Sequence, residues 1–189
     1  LRSSRRLSAS DCPRCTYPAR LPAWSSISIS QTTASFATSW MMPTVAMLCL
    51  DVNVLVYAVR PDTSLHSAAR TALDAMRSGT EPVALLPEVA VGFLRVVTSR
   101  RIFTAPETLD DAFEALKSVL ASPLIRMTEA GPGRWSIFEG LVRGQGFVGG
   151  DIHDALLASA CIDMSATLVT ADRGFARFKA LDVRLVRGD

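Results

Sequence analysis

From residue 47 onward, short apolar runs alternate with longer stretches of helical periodicity. MLCL (47–50), VALL (83–86), LIRMTE (124–129), ATLVT (166–170) and VRLV (183–186) read as strands. NVLVYAV (53–59), HSAARTALDAMRSG (66–79), PEVAVGFLRVVTS (87–99), PETLDDAFEALKSVLA (106–121), GPGRWSIFEGLVRGQG (131–146), GGDIHDALLASACIDM (149–164) and DRGFARF (172–178) read as helices. Apolar residues recur at helical spacing within them. Gly79 is a stop signal, Pro87 suits a first helical position, and acids open the 106–121 helix, where the helix dipole favours them. Strands separated by helices must pair in parallel, because a parallel pair needs a long crossover. Strands apolar throughout are buried on both faces. The pattern therefore predicts an α/β fold of three layers, helices on both sides of a central parallel sheet of about five strands. Phe93, Leu94, Val96 and Val97 are expected in the core.

The first 46 residues have no such period. They hold ten Ser and five Arg against one acid, Asp11. Arg5-Arg6 could open a twin-Arg signal, but no apolar core follows it. A basic, Ser-rich and acid-poor segment also fits an organellar transit peptide. Cys12 and Cys15 have the spacing of half a zinc site, and a zinc site needs two further ligands. Only Cys49, Cys161, His66 and His153 remain, each inside a predicted core or helix. The favoured reading is a disordered or non-native extension over 1–46, followed by one domain over 47–189 that begins at Met47.

Charge changes the picture further. The net +2 of the whole chain hides a domain with 15 basic and 17 acidic residues. Bulk charge therefore does not mark a nucleic-acid binder; any polyanion must be met by local Arg residues or bound cations. No run approaches the ~18 apolar residues of a membrane span. Cys49 and Cys161 sit among apolar residues and read as buried, reduced thiols of a cytoplasmic protein.

The acids carry the chemistry. Asp51 ends the first strand, Glu88 lies two residues past the second and Asp172 two past ATLVT, while Asp154 is expected in the first turn of the preceding helix. Ligands of open parallel sheets bind beyond the carboxyl ends of the strands, where three of these acids emerge. Each alone could cap a helix or complement its dipole. Together they would repel one another unless a cation neutralises them. An all-oxygen set suits Mg²⁺ or Mn²⁺. Asn53 would orient Asp51 or touch substrate.

LDVNVLVYA, LLPEVAVGFLRVVTSRRIF, DIHDALLASA and ATLVTADRGFARF, in this order and spacing, resemble the PIN-domain nucleases, specifically VapC-type toxins of bacterial toxin–antitoxin pairs. The likeness runs through nearly all of 47–189 and none of 1–46. It implies a metal-dependent endoribonuclease toxin that leaves 5′-phosphate and 3′-hydroxyl ends, an RNA substrate, a VapB-type antitoxin that silences it and a homodimer. The implied metal-site and catalytic acids are Asp51, Glu88, Asp154 and Asp172, with Asn53 and Thr170 supporting. Val52 departs from the Thr or Ser often found there, which puts one supporting hydrogen bond in doubt.

Asp151, after two glycines, reads as an N-cap, with support of the metal site as the lesser reading. His153 is expected to pack or pair locally, and His66 to be exposed. Arg95, Arg100 and Arg101 are candidate RNA phosphate contacts. Two other classes compete. An Asp-dependent α/β phosphatase or receiver would want a second Asp where Asn53 stands or a suitably placed Lys, and this chain has Lys only at 117 and 179. A PIN fold kept for binding alone would lack one of the acids, and all four are present.

Overall fold

The computed structural model describes residues 46–188. The expected 1–46 extension, except its last residue, lies outside the described residues, as do Cys12 and Cys15. Five strands form one parallel sheet: β1 (Met47–Leu50), β2 (Val83–Leu85), β3 (Ile125–Met127), β4 (Ala166–Thr170) and β5 (Val183–Leu185). Their spatial order is β3-β2-β1-β4-β5.

The helices are α1 (Val52–Val59), α2 (His66–Ser78), α3 (Pro87–Val97), α4 (Leu109–Leu120), α5 (Arg134–Gln145) and α6 (Gly150–Asp163). A 3-10 turn spans Arg173–Arg177. The chain steps from β1 to β2 to β3 in one direction, then crosses to β4 on the other side of β1. Right-handed crossovers put α1 to α4 on one face and α5 and α6 on the other. Leu48, Leu50, Leu85 and Leu168 of the sheet are buried with Val54, Leu55, Phe93 and Phe178. Val97 is buried beside Phe93, while Leu94 and Val96 pack at the margin of the core.

Two boundaries differ from the sequence pattern for identifiable reasons. Helix α4 starts at Leu109 because Thr108 caps it, its hydroxyl accepting from the Asp111 N–H at 3.1 Å. That releases Glu107 to pair with Arg60 at 2.7 Å. Helix α5 starts at Arg134, after the Gly131-Pro132-Gly133 loop. A Cβ at Gly131 or Gly133 would lie 2.5 Å from a carboxylate oxygen of Asp163, so glycine lets the loop rest on the end of α6 without displacing that side chain.

The order reverses between β1 and β4, which is where a sheet of this kind opens a crevice. In register, Leu50 stands opposite Val169, and the Asp51 N–H continues the ladder to the Val169 carbonyl at 3.1 Å. The next residues along both strands, Asp51 and Thr170, therefore meet at the mouth of that crevice.

Candidate active site

Asp51 is 94% buried and makes no side-chain cap for α1. Its Oδ2 instead accepts from the Thr170 hydroxyl at 2.5 Å and from the Asn53 amide at 2.6 Å. The Asn53 amide also reaches Thr170 Oγ1 at 3.0 Å, and its Oδ1 accepts from the Ala171 N–H at 2.9 Å. Thr170 Oγ1 in turn accepts from the Asp172 N–H at 2.9 Å. Five successive polar contacts thus tie the start of α1 to the end of β4. Asn53 and Thr170 both hydrogen-bond to Asp51.

Burial pushes the Asp51 carboxyl above the usual carboxylate range. The Thr170 and Val52 hydrogen bonds oppose this, while the Asp154 and Asp172 charges add to it. Asp154 is also raised, by burial first; Arg177 opposes that, and Asp172 adds to it. Asp51, Asp154 and Asp172 therefore share one electrostatic neighbourhood. Glu88 belongs to the same region: its charge and that of Asp51 both raise the Cys49 thiol, which Cys161 and burial already hold well up. Both thiols are buried, and among the described residues neither forms a disulfide.

Three helix-end expectations need correction. Asp151 is not an N-cap; Gly149 takes that position at φ 60°, a conformation open to glycine, and Asp151 lies inside the first turn. Its carboxylate accepts from Arg177 at 2.7 Å. Asp154 lies one turn further into α6 rather than in its first turn, and accepts from the same guanidinium at 2.7 Å. His66 is half-buried rather than exposed, because its Nδ1 meets the Tyr57 carbonyl at 2.9 Å. His153 is exposed. Asp172 does cap its 3-10 turn, Oδ1 accepting from Gly174 N–H at 2.7 Å.

Glu88, in the first turn of α3, forms an ion pair with Arg134. The same guanidinium donates to the Leu156 carbonyl at 3.2 Å. Arg134 and Arg177 are the site residues that the sequence pattern leaves out. A base in the first turn of a helix opposes the dipole, so Arg134 was the anomaly to notice. Arg177 also stacks over Phe147 at 4.8 Å and Phe178 at 5.1 Å.

Val52, where a hydroxyl was expected, has a packing role. A Cβ on Gly92 would lie 2.7 Å from Val52 Cγ2. Gly92 lies one turn beyond Glu88, so this contact fixes the helix bearing Glu88 against the helix that follows Asp51. Arg95 is exposed two turns along α3 from Glu88, about 10 Å of rise. Arg100 and Arg101 come after the far end of α3, whose rise from Glu88 to Val97 alone is about 13 Å.

A family model for the PIN domain matches residues 48–181. The chain belongs to the PIN-domain family. Ribonuclease VapC43 of Mycobacterium tuberculosis is 44% identical over 135 residues, 71% of this chain and 92% of the relative. Ribonuclease VapC25 of the same species is 33% identical over 71% of this chain and 95% of the relative. In three dimensions this PIN domain is similar to VapBC2 from Rickettsia felis, bound to a DNA fragment from their promoter. The TM-score is 0.57 at 18% identity, over 75% of this chain and 99% of that one. VapBC-1 from nontypeable Haemophilus influenzae gives 0.52 at 13% identity, over 74% and 97%. Those likenesses carry the fold.

The donors at this PIN-domain edge are all oxygen and mutually repulsive, the chemistry that suits a hard divalent cation. Among the described residues no three carboxylates stand close enough together to share an ion, and two of them, Glu88 and Asp154, are engaged by Arg134 and Arg177. Among the described residues, no helix is long and apolar enough to cross a membrane.

Proposed function

We propose that this PIN domain is a metal-dependent endoribonuclease toxin, with RNA as substrate and a VapB-type antitoxin as its silencing partner. The observation that carries the reading is the meeting of Asp51 with Thr170 at the strand-order reversal, with Asp154 and Asp172 in the same electrostatic neighbourhood. Relatives named ribonucleases support the activity, and neighbours named VapBC support the partner. The same reading places the chain in the cytoplasm, as a homodimer.

Asp51, Asp154 and Asp172 would hold Mg²⁺ or Mn²⁺, with Glu88 completing the set. Bound there, a divalent ion would supply a lowered pKa for a water and stabilisation of charge developing on a phosphodiester. The chain's own residues supply the preorganisation. Thr170 and Asn53 fix one oxygen of Asp51. Gly174 fixes Asp172, and Arg134 and Arg177 fix Glu88 and Asp154. The test is cleavage of single-stranded RNA by the purified chain in Mg²⁺, with mapping of the ends. Products carrying 5′-phosphate and 3′-hydroxyl groups support the reading; intact RNA refutes it.

A further inference from the structure

An acidic edge that acts on an anionic polymer needs cationic groups as well as acids. Five carboxylates (Asp51, Glu88, Asp151, Asp154 and Asp172) lie along this edge, and two guanidiniums contact three of them, Glu88, Asp151 and Asp154. Those guanidiniums come from separate elements, the first turn of α5 and the 3-10 turn after β4. Arg134 holds the Glu88 end of the group and Arg177 the Asp154 end.

Both are oriented but not used up. Arg177 places one N–H bond on Asp151 and one on Asp154, its plane set by Phe147 and Phe178, and its side chain remains 31% exposed. Arg134 contacts Glu88 and the Leu156 carbonyl through one nitrogen and remains 21% exposed. Each Nε is buried without a partner among the described residues, so further bonding must come through the terminal nitrogens. A guanidinium carries five N–H donors in a rigid fork that matches phosphate geometry. Preorientation by a carboxylate and by aromatic rings lowers the entropy lost when an oxyanion binds.

We propose that Arg134 and Arg177 are the phosphate contacts of the cleft, each using its outward N–H groups on a backbone phosphate of single-stranded RNA. The inference rests on the ribonuclease reading and names how that site takes its substrate. It moves the contacts from Arg100 and Arg101, beyond the far end of α3, to two residues that touch the acids.

The test is salt dependence. A 5′-fluorescein 12-nucleotide single-stranded RNA is titrated with the Asp51→Asn protein in Mg²⁺ at several salt concentrations. Each phosphate contact on a single strand contributes about 0.7 to the slope of log K against log salt. Arg134→Gln and Arg177→Gln should each reduce the slope by about 0.7, Arg134→Lys and Arg177→Lys should restore most of it, and Arg100→Gln and Arg101→Gln should leave it unchanged. A weakened affinity with an unchanged slope would mean that the arginines only position the acids, and overturns the proposal. So does a slope that falls with Arg100→Gln or Arg101→Gln instead.

If a Gln variant does not fold, phenylglyoxal footprinting of the Asp51→Asn chain decides. RNA should protect Arg134 and Arg177 from modification, and equal modification with and without RNA contradicts the proposal. Failure of the ribonuclease reading looks different: the chain with Asp51 intact would leave the RNA uncut.

Discussion

Thr170 donates its hydroxyl to Asp51 Oδ2 at 2.5 Å, across the ends of two neighbouring parallel strands. Thr170 is fully buried, so this hydroxyl has no water to replace its partner. Thr170→Val keeps the shape and removes the donor. The variant should lose about 1–3 kcal/mol, the cost of leaving a buried acceptor under-satisfied. Denaturant melts check this, and RNA cleavage should fall with it, since Asn53 then orients Asp51 alone.

Asp51 also sets a pH dependence. Its folded pKa is raised, by burial first, so over a range above its unfolded pKa the native state keeps a proton that the unfolded chain has lost. Stability of the metal-free chain therefore falls as pH rises through that range. The penalty is absent below the unfolded pKa and complete above the folded one. Asp51→Asn should raise the Tm in EDTA at pH 7.5 by more than it does at pH 4. Scanning calorimetry of both proteins at both pH values gives the answer, and an equal shift at the two would remove Asp51 as the cause.

Asp151 and Asp154 share one guanidinium, so they are expected to differ in degree rather than in kind. Asp154→Asn removes a proposed metal ligand and should abolish cleavage. Asp151→Asn removes only half of the clamp on Arg177. It should cost about tenfold to a hundredfold, the usual effect of disturbing a group that supports a ligand. Initial rates on one RNA distinguish this from the full activity that a helix cap would retain.

Gly92→Ala tests the coupling of Asp51 to Glu88. The added methyl would stand 2.7 Å from Val52 Cγ2. Overpacking of this kind costs about 1–3 kcal/mol. Val52→Ala in the same chain should recover most of that loss, because it vacates the space the methyl needs. Additive losses in the double variant would place the strain elsewhere.

The strands, their parallel pairing and the sheet edge at which Asp51 emerges are legible in the sequence, because each rests on local pattern. MLCL ends at Asp51 and ATLVT at Thr170, and strands buried on both faces leave little doubt where they stop. The register that puts Thr170 beside Asp51 was not legible, since it joins residues 119 apart. Nor were the partners of the acids. Arg134 meets Glu88 across 46 residues and Arg177 meets Asp154 across 23, through the packing of α5 and of the 3-10 turn. Helix-end preferences misled at Asp151, because a glycine with positive φ took the capping position.

The central claim is that the Asp51 edge hydrolyses RNA with the help of a divalent ion. The most direct measurement is the initial rate of cleavage of one single-stranded RNA by the purified chain and by Asp51→Asn, each in Mg²⁺ and in EDTA. The account predicts cleavage by the parent chain in Mg²⁺ alone. EDTA should abolish it, and Asp51→Asn should lower the Mg²⁺ rate by about three orders of magnitude, the scale on which losing a principal source of charge stabilisation acts. Asn can still accept the hydrogen bonds of Thr170 and Asn53, so the fold should persist in the variant. Cleavage by Asp51→Asn at the parent rate, or by the parent chain undiminished in EDTA, would contradict the account.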